Sequence, residues 1–240
     1  MEQKTKNNLT KEDFKLIEEM VKAGVHFGHS ATKWNPKMGP FIFGSKNNVH
    51  LIDLEKTAEM LKAAKEFVKD IVQKDGKILF VGTTPAAKKV LEECAAQTGM
   101  PVVSERWLGG TLTNFKIIAK RLDYFKELER KQAAGELEKY TKKERQEFNE
   151  EIKKLERKFG GFKNLQKVPE ALFVLDPKKN YLAIKEAQDS GKAKTIALCD
   201  TNVDPDSIDY PIPANDDAIS SLRFITKQIV EAIEEGKNKK

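Results

Sequence analysis

The sequence predicts an α/β fold: a doubly wound parallel sheet into which an antiparallel α-helical coiled-coil hairpin is inserted. Two observations carry this prediction. Short, continuous apolar runs of buried-strand type alternate with amphipathic helices, which is the pattern of a parallel sheet covered on both faces. The alternation is broken once, by a long charged stretch whose apolar residues repeat at spacings of three and four.

Taken in order, Thr10 opens a helix by the capping-box rule, with Asp13 three residues on. Phe14, Ile17, Met20 and Val21 form its apolar stripe until Gly24 stops it. Residues 25–48 are rich in Gly, Pro and Asn, as in Trp34-Asn35-Pro36 and Met38-Gly39-Pro40, and read as a long irregular loop containing a short strand at Phe41-Ile42-Phe43. Regular alternation is expected from Val49–Ile52, a strand leading into a helix from Leu54 to Lys74. Ala58, Leu61, Ala64, Phe67, Val68 and Ile71 share one face of that helix. Strand-type runs follow at Lys77–Gly82 and Pro101–Val103, separated by a helix that Thr84-Pro85 initiates and Gly99 ends. Ala171–Leu175 and Thr195–Cys199 are the next two strands, with a helix between them terminated by Gly191. Asn215 is expected to cap a last amphipathic helix reaching Glu235. Right-handed crossovers would join these strands, and a five-stranded flavodoxin-like order is the leading expectation.

The insertion carries apolar residues at Phe115, Ile118, Leu122 and Phe125, and then at Phe148, Ile152, Leu155, Phe159 and Phe162. Both series have the spacing of an a/d seam. A break at Gly135 and a second capping box, Thr141 to Glu144, fold the stretch into a hairpin whose arms would each extend about 30 Å. Residues 1–104 and 164–240 then form the α/β core with the N-terminal helix and the basic loop, and 105–163 the hairpin insertion.

The chain has 240 residues with 43 Lys and Arg against 37 Asp and Glu, a net charge of +6. Distribution matters more than the total. Val21 to His50 holds no acid, yet it contains Lys22, Lys33, Lys37, Lys46, all three histidines, Phe27, Trp34, Phe41 and Phe43. A second acid-free run, Arg106 to Leu122, carries Lys116, Lys120 and Arg121. Cys199 to Ser221 is the opposite, with Asp200, Asp204, Asp206, Asp209, Asp216 and Asp217 and no Lys or Arg. One basic and one acidic surface are expected. No apolar run approaches the length of a membrane span, the polar N-terminus does not read as a secretory signal, and Cys94 and Cys199 read as reduced core thiols. These features favour a cytoplasmic protein.

An enzyme reading would start at Gly82-Thr83-Thr84-Pro85, where a helix N-terminus could hold a nucleotide or sugar phosphate, with the Asp200 to Asp206 loop nearby. The chain has neither a G-x-G-x-x-G nor a Walker lysine pattern, and an N-cap Thr followed by Pro is ordinary helix initiation. His26-Phe27-Gly28-His29 could suggest metal ligation or acid–base work with Asp200 and Asp204, but the plainer reading is a packed histidine pair. No catalytic residue, metal ligand or cofactor is assigned. In the RNA-binding reading, Lys33, Lys37 and Lys46 contact phosphates beside Asn47, and Trp34 and His29 either stack on bases or brace the loop. Arg106, Lys116 and Lys120 supply charge at the hairpin root. Arg106–Asn114 itself is a hinge between core and insertion, compatible with an RNA-facing elbow, with Trp107 assigned to packing. A third reading is a coiled-coil adaptor that binds only protein.

Several of these stretches together resemble the bacterial small-subunit ribosomal protein S-two family. They are Lys22–His29, Trp34–Met38, Phe41–Gly44, Val81-Gly82-Thr83, Arg106–Asn114, Pro169–Val174 and Asp200–Asp206, which occur in that family's order across nearly the whole chain. Thr84 departs from the family pattern where a basic residue is usual, as do Lys192 and Ala193 where an apolar residue and a proline are common. The resemblance implies a flavodoxin-like core with a coiled-coil hairpin, bound to small-subunit ribosomal RNA near the junction of head and body. It also implies a role in translation beside neighbouring ribosomal proteins, among them the large RNA-binding protein S-one.

Overall fold

The computed structural model describes residues 11–239. Thr10, expected as the first N-cap, and the stretch before it lie outside the described residues. The first helix, α1 (Lys11–Ala23), is followed by a small antiparallel sheet of β1 (Phe27–Ser30), β2 (Ile42–Lys46) and β3 (Val49–Ile52), in the order β1-β3-β2. The region read as an irregular loop is therefore largely structured. Asn47 and Asn48, at φ +50 and +62, make the tight two-residue turn between β2 and β3, where asparagine tolerates the left-handed conformation. A 3-10 turn, Pro36–Phe41, is capped by the Asn35 side chain accepting from the Lys37 amide.

Beyond α2 (Leu54–Gln73), capped by Asp53, come β4 (Ile78–Val81), α3 (Pro85–Thr98) and β5 (Val102–Val103). Two helices follow, α4 (Phe115–Ala133) and α5 (Lys142–Phe159), and then β6 (Ala171–Val174), α6 (Tyr181–Ser190), β7 (Lys194–Cys199), β8 (Tyr210–Pro213) and α7 (Ile219–Asn238). The last five strands form one sheet in the order β5-β4-β6-β7-β8, and every pairing in it is parallel. Renumbered along the chain this is 2-1-3-4-5, the flavodoxin-like order.

Three expectations are corrected here. Val49–Ile52 is not part of the parallel sheet, since it pairs antiparallel with β1 and β2. The fifth parallel strand is instead Tyr210–Pro213, inside the acidic stretch. Pro211 and Pro213 hide it from pattern reading, but a proline is tolerated there because β8 is an edge strand. Asn215 also falls short of the last helix. Its side chain accepts from the amides of Asp217 and Ala218, so it closes the turn before α7, and Ala218 is the N-cap.

Side chains alternate across the sheet and divide the core in two. Ile78, Phe80, Phe173, Ile196, Leu198 and Ile212 pack under α2, α3 and α7. Leu79, Val81, Val103, Leu172, Val174, Ala197 and Cys199 face the other way, against Met38, Trp107, Leu112, residues of α4 and α5, and α6. The basic loop and the helices α4 and α5 thus rest on the same face of the sheet.

Candidate nucleic-acid interface

Lys33, Lys46 and Asn47 are exposed, as are Arg106, Lys116 and Lys120. Lys46 and Asn47 stand at the tip of the β2–β3 hairpin, and Lys33 follows β1, its amide donating to Ser30 O at 2.8 Å. Trp34 is 40% exposed, with its ring 5.3 Å from that of His50. Lys37 differs from the other lysines. Its ammonium lies 2.8 Å from Asp204 and 3.0 Å from Asp206, so the charge expected to meet phosphate is shared with the acidic loop. The Asn35 amide donates to Thr201 O at 2.7 Å, a second tie between the basic loop and the end of β7. Among the described residues no hydrogen bond or ion pair joins the loop directly to Arg106–Lys120.

The Arg106–Asn114 turn is built around a residue that sequence reasoning missed. Glu186 projects from α6 and is 6% exposed. Its carboxylate accepts from Trp107 Nε1 at 3.3 Å, Gly110 N at 2.7 Å and Leu112 N at 3.0 Å. Gly110 has φ +87, a conformation that favours glycine. Trp107 is buried as expected, and it also has a hydrogen-bonding role. The only sequence signal of Glu186 was a carboxylate set among Ala183, Ile184 and Ala187 on an otherwise apolar face.

His29 is held inside. Its Nδ1 is 3.1 Å from Asp200 Oδ2 and its Nε2 is 3.5 Å from Asp217 Oδ2. Its amide donates to Thr201 Oγ1 at 3.0 Å. At Gly28 the chain passes so close to Thr201 that a Cβ would lie 2.5 Å from its methyl group. The hydrogen bond to Asp200 raises the pKa of His29 above its usual value, against burial, with further help from the Asp216 and Asp217 charges. Burial, with the neighbouring Asp200 and Asp217 charges, pushes Asp216 up to about 7. His29 thus braces the loop on the core, while His26 lies elsewhere, against Phe27.

The crevice at the ends of β4 and β6, where doubly wound enzymes take their ligands, is closed by the chain itself. Asp176, at the C-terminal end of β6, accepts from the amides of Thr83 and Thr84 at 3.3 and 3.1 Å, and Thr84 Oγ1 accepts from Ala87 N. A carboxylate therefore occupies the donors a phosphate would need. Asn180 closes the cluster, donating to Thr83 Oγ1 and Asp176. No described helix is long and apolar enough to cross a membrane.

By class this is a flavodoxin-like doubly wound scaffold whose crevice at the ends of β4 and β6 is filled by its own Asp176, with cationic loops on one face of the sheet. Comparisons with known proteins narrow the class to a family. The family model described as Ribosomal protein S2 matches residues 20–236. A relative from Roseiflexus sp. (strain RS-1), named Small ribosomal subunit protein uS2, is 47% identical over 221 residues, covering 92% of this chain and 84% of its own. Proteins of the same name from Fusobacterium nucleatum subsp. nucleatum and Geotalea uraniireducens are 48% and 46% identical, covering 92% of this chain and 89% and 86% of theirs. The chain belongs to the ribosomal protein S2 family.

Proposed function

We propose that the chain is a structural constituent of the small ribosomal subunit, acting in translation on cytoplasmic ribosomes and binding small-subunit ribosomal RNA. The observation that carries the RNA reading is that both acid-free segments, 21–50 and 106–122, pack on one face of the parallel sheet through Met38, Trp107, Leu112 and Ile118. Lys33, Lys46, Arg106, Lys116 and Lys120 supply phosphate contacts, with Trp34 and Asn47 beside them. Lys37 clamps the loop to Asp204 and Asp206 and leaves phosphate contact to its neighbours. Affinity then comes from electrostatic positioning plus shape fit.

Residues 105–163 act as an inserted antiparallel coiled-coil hairpin on a core formed by 1–104 and 164–240. Supporting this, Gln132 Nε2 donates to Asn149 Oδ1 at 2.8 Å and Tyr124 OH to Glu151 at 3.1 Å across α4 and α5. Ile118, Leu122, Phe125, Leu155 and Phe159 share one buried cluster. Neighbouring ribosomal proteins, among them the large RNA-binding protein S-one, are the protein partners. In the decisive experiment, the tagged chain is sedimented with small subunits across a salt series. The wild type is expected to cosediment and to dissociate as salt rises. A Lys33→Glu, Lys46→Glu variant should bind more weakly, with the slope of log K against log salt reduced by about 1.5. Unchanged assembly of that variant would remove the loop as the RNA site.

A further inference from the structure

A third basic stretch lies between the two acid-free segments that the RNA reading uses. Residues 177–185 hold Lys178, Lys179 and Lys185 and no acid. They leave the C-terminal end of β6 and enter α6. Because β6 sits between β4 and β7, the stretch begins beside the end of β7, where the Asn35 amide is tied to Thr201 O. On its other side α6 carries Glu186, the carboxylate that gathers Trp107, Gly110 and Leu112 from the 106–114 turn. Leu182 Cδ2 comes within 4.0 Å of the point that a Cβ on Gly109 would occupy. The basic loop, the start of α6 and the 106–114 turn therefore follow one another along a single edge of the sheet.

The turn into α6 is anchored at both ends. Asp176, Pro177 and Asn180 are buried, whereas Lys178 and Lys179 between them are exposed. The Asn180 amide donates to Asp176 O at 3.0 Å, and Asn180 Nδ2 donates to Thr83 Oγ1 at 3.2 Å. Tyr181 follows and is 66% exposed, and Lys185, also exposed, lies one helical turn further on the same face. Among the described residues none of the three lysines pairs with an acid. The adjoining acids are already engaged, since Asp176 accepts from Thr83, Thr84 and Asn180 and Glu186 accepts three N–H groups. An exposed ring among ammonium groups that no acid neutralises suits a polyanion that also offers flat aromatic faces.

We propose that Lys178, Lys179 and Tyr181 form a further RNA-contacting element, with the two ammonium groups on phosphates and an unstacked base on the Tyr181 ring. A regular RNA duplex keeps its base faces inside the stack, so the element selects a looped or single-stranded stretch. It joins the two acid-free segments into one continuous surface. This assignment rests on RNA being the ligand of those neighbouring segments, and continuity with them favours RNA over an acidic protein segment.

The test titrates the full chain with transcribed small-subunit ribosomal RNA by filter binding across a salt series. All the substitutions change exposed side chains, so circular dichroism and thermal melting should match the wild type. Lys178→Gln combined with Lys179→Gln should reduce the slope of log K against log salt by about 1.5. Tyr181→Ala should weaken binding about fivefold or more at an unchanged slope, and Tyr181→Phe should restore it, because stacking needs the ring and not the hydroxyl. If the wild type does not bind the RNA, the RNA reading fails and this element with it. If the wild type binds and these variants bind equally well while Lys33→Glu, Lys46→Glu is weakened, the element alone is overturned. Variants that bind RNA normally yet no longer cosediment with small subunits also overturn it, by placing a protein on this patch.

Discussion

Glu186 shows how one side chain can organise a turn that two glycines make possible. Gly110 supplies the backbone conformation, but freedom to turn does not select a turn, and Glu186 does so by collecting three N–H groups from Trp107, Gly110 and Leu112. These are charge-assisted bonds in a buried place, where a lost acceptor is expensive. Glu186→Gln keeps one oxygen but turns an amide NH2 toward the remaining donors. It should therefore destabilise the chain by about 1–3 kcal/mol, seen as a lower urea midpoint at unchanged m-value. An unchanged midpoint would mean that packing of Trp107 alone holds the turn.

At the scale of elements, α4 and α5 have their own signals. Thr141 and Glu144 form a reciprocal capping box at the start of α5, with the Thr141 amide donating to Glu144 Oε2 at 2.9 Å and the Glu144 amide to Thr141 Oγ1 at 3.4 Å. Thr141→Ala should cost about 1 kcal/mol. Because the cap is remote from the sheet, hydrogen exchange should speed up in α5 while the amides of β4 and β6 stay protected; equal loss in both would show that α5 and the sheet unfold together. This capping box was legible because a cap is local, and so were β4, β6 and β7, whose apolar runs need no partner to be recognised. β3 was misplaced because Val49–Ile52 followed by α2 imitates a β-α unit, and only its pairing with β1 and β2 shows otherwise. The acid-free segments were equally plain, being a property of adjacent residues. Contacts between distant residues were not. Lys37 is claimed by Asp204, 167 positions away, and His29 by Thr201, 172 positions away, and no local pattern announces such a meeting.

For the whole molecule, the crevice that closes on itself leaves a signature in the pH dependence of stability. Asp176 joins the ends of β4 and β6 to the starts of α3 and α6, so its charge state is felt by the global fold. Burial raises its pKa from 3.8 to about 6, although the Thr83 and Thr84 amides pull the other way. The folded chain therefore holds this proton more tightly than the unfolded chain does. The resulting stabilisation is fully present below pH 3.8 and is lost as pH rises through about 6. That gap corresponds to roughly 3 kcal/mol, an order-of-magnitude figure. Asp176→Asn carries no charge at any pH. Its Oδ1 can still accept from the two amides, and any cost of rearranging Asn180 does not vary with pH. Urea midpoints for both chains between pH 4.5 and 8 isolate the effect from the other carboxylates, which are common to both. The variant should gain on the wild type as pH rises, with most of the change between pH 5 and 7. A difference that stays constant across that range would mean that Asp176 is ionised throughout, and that the Thr83 and Thr84 amides outweigh burial in setting its charge.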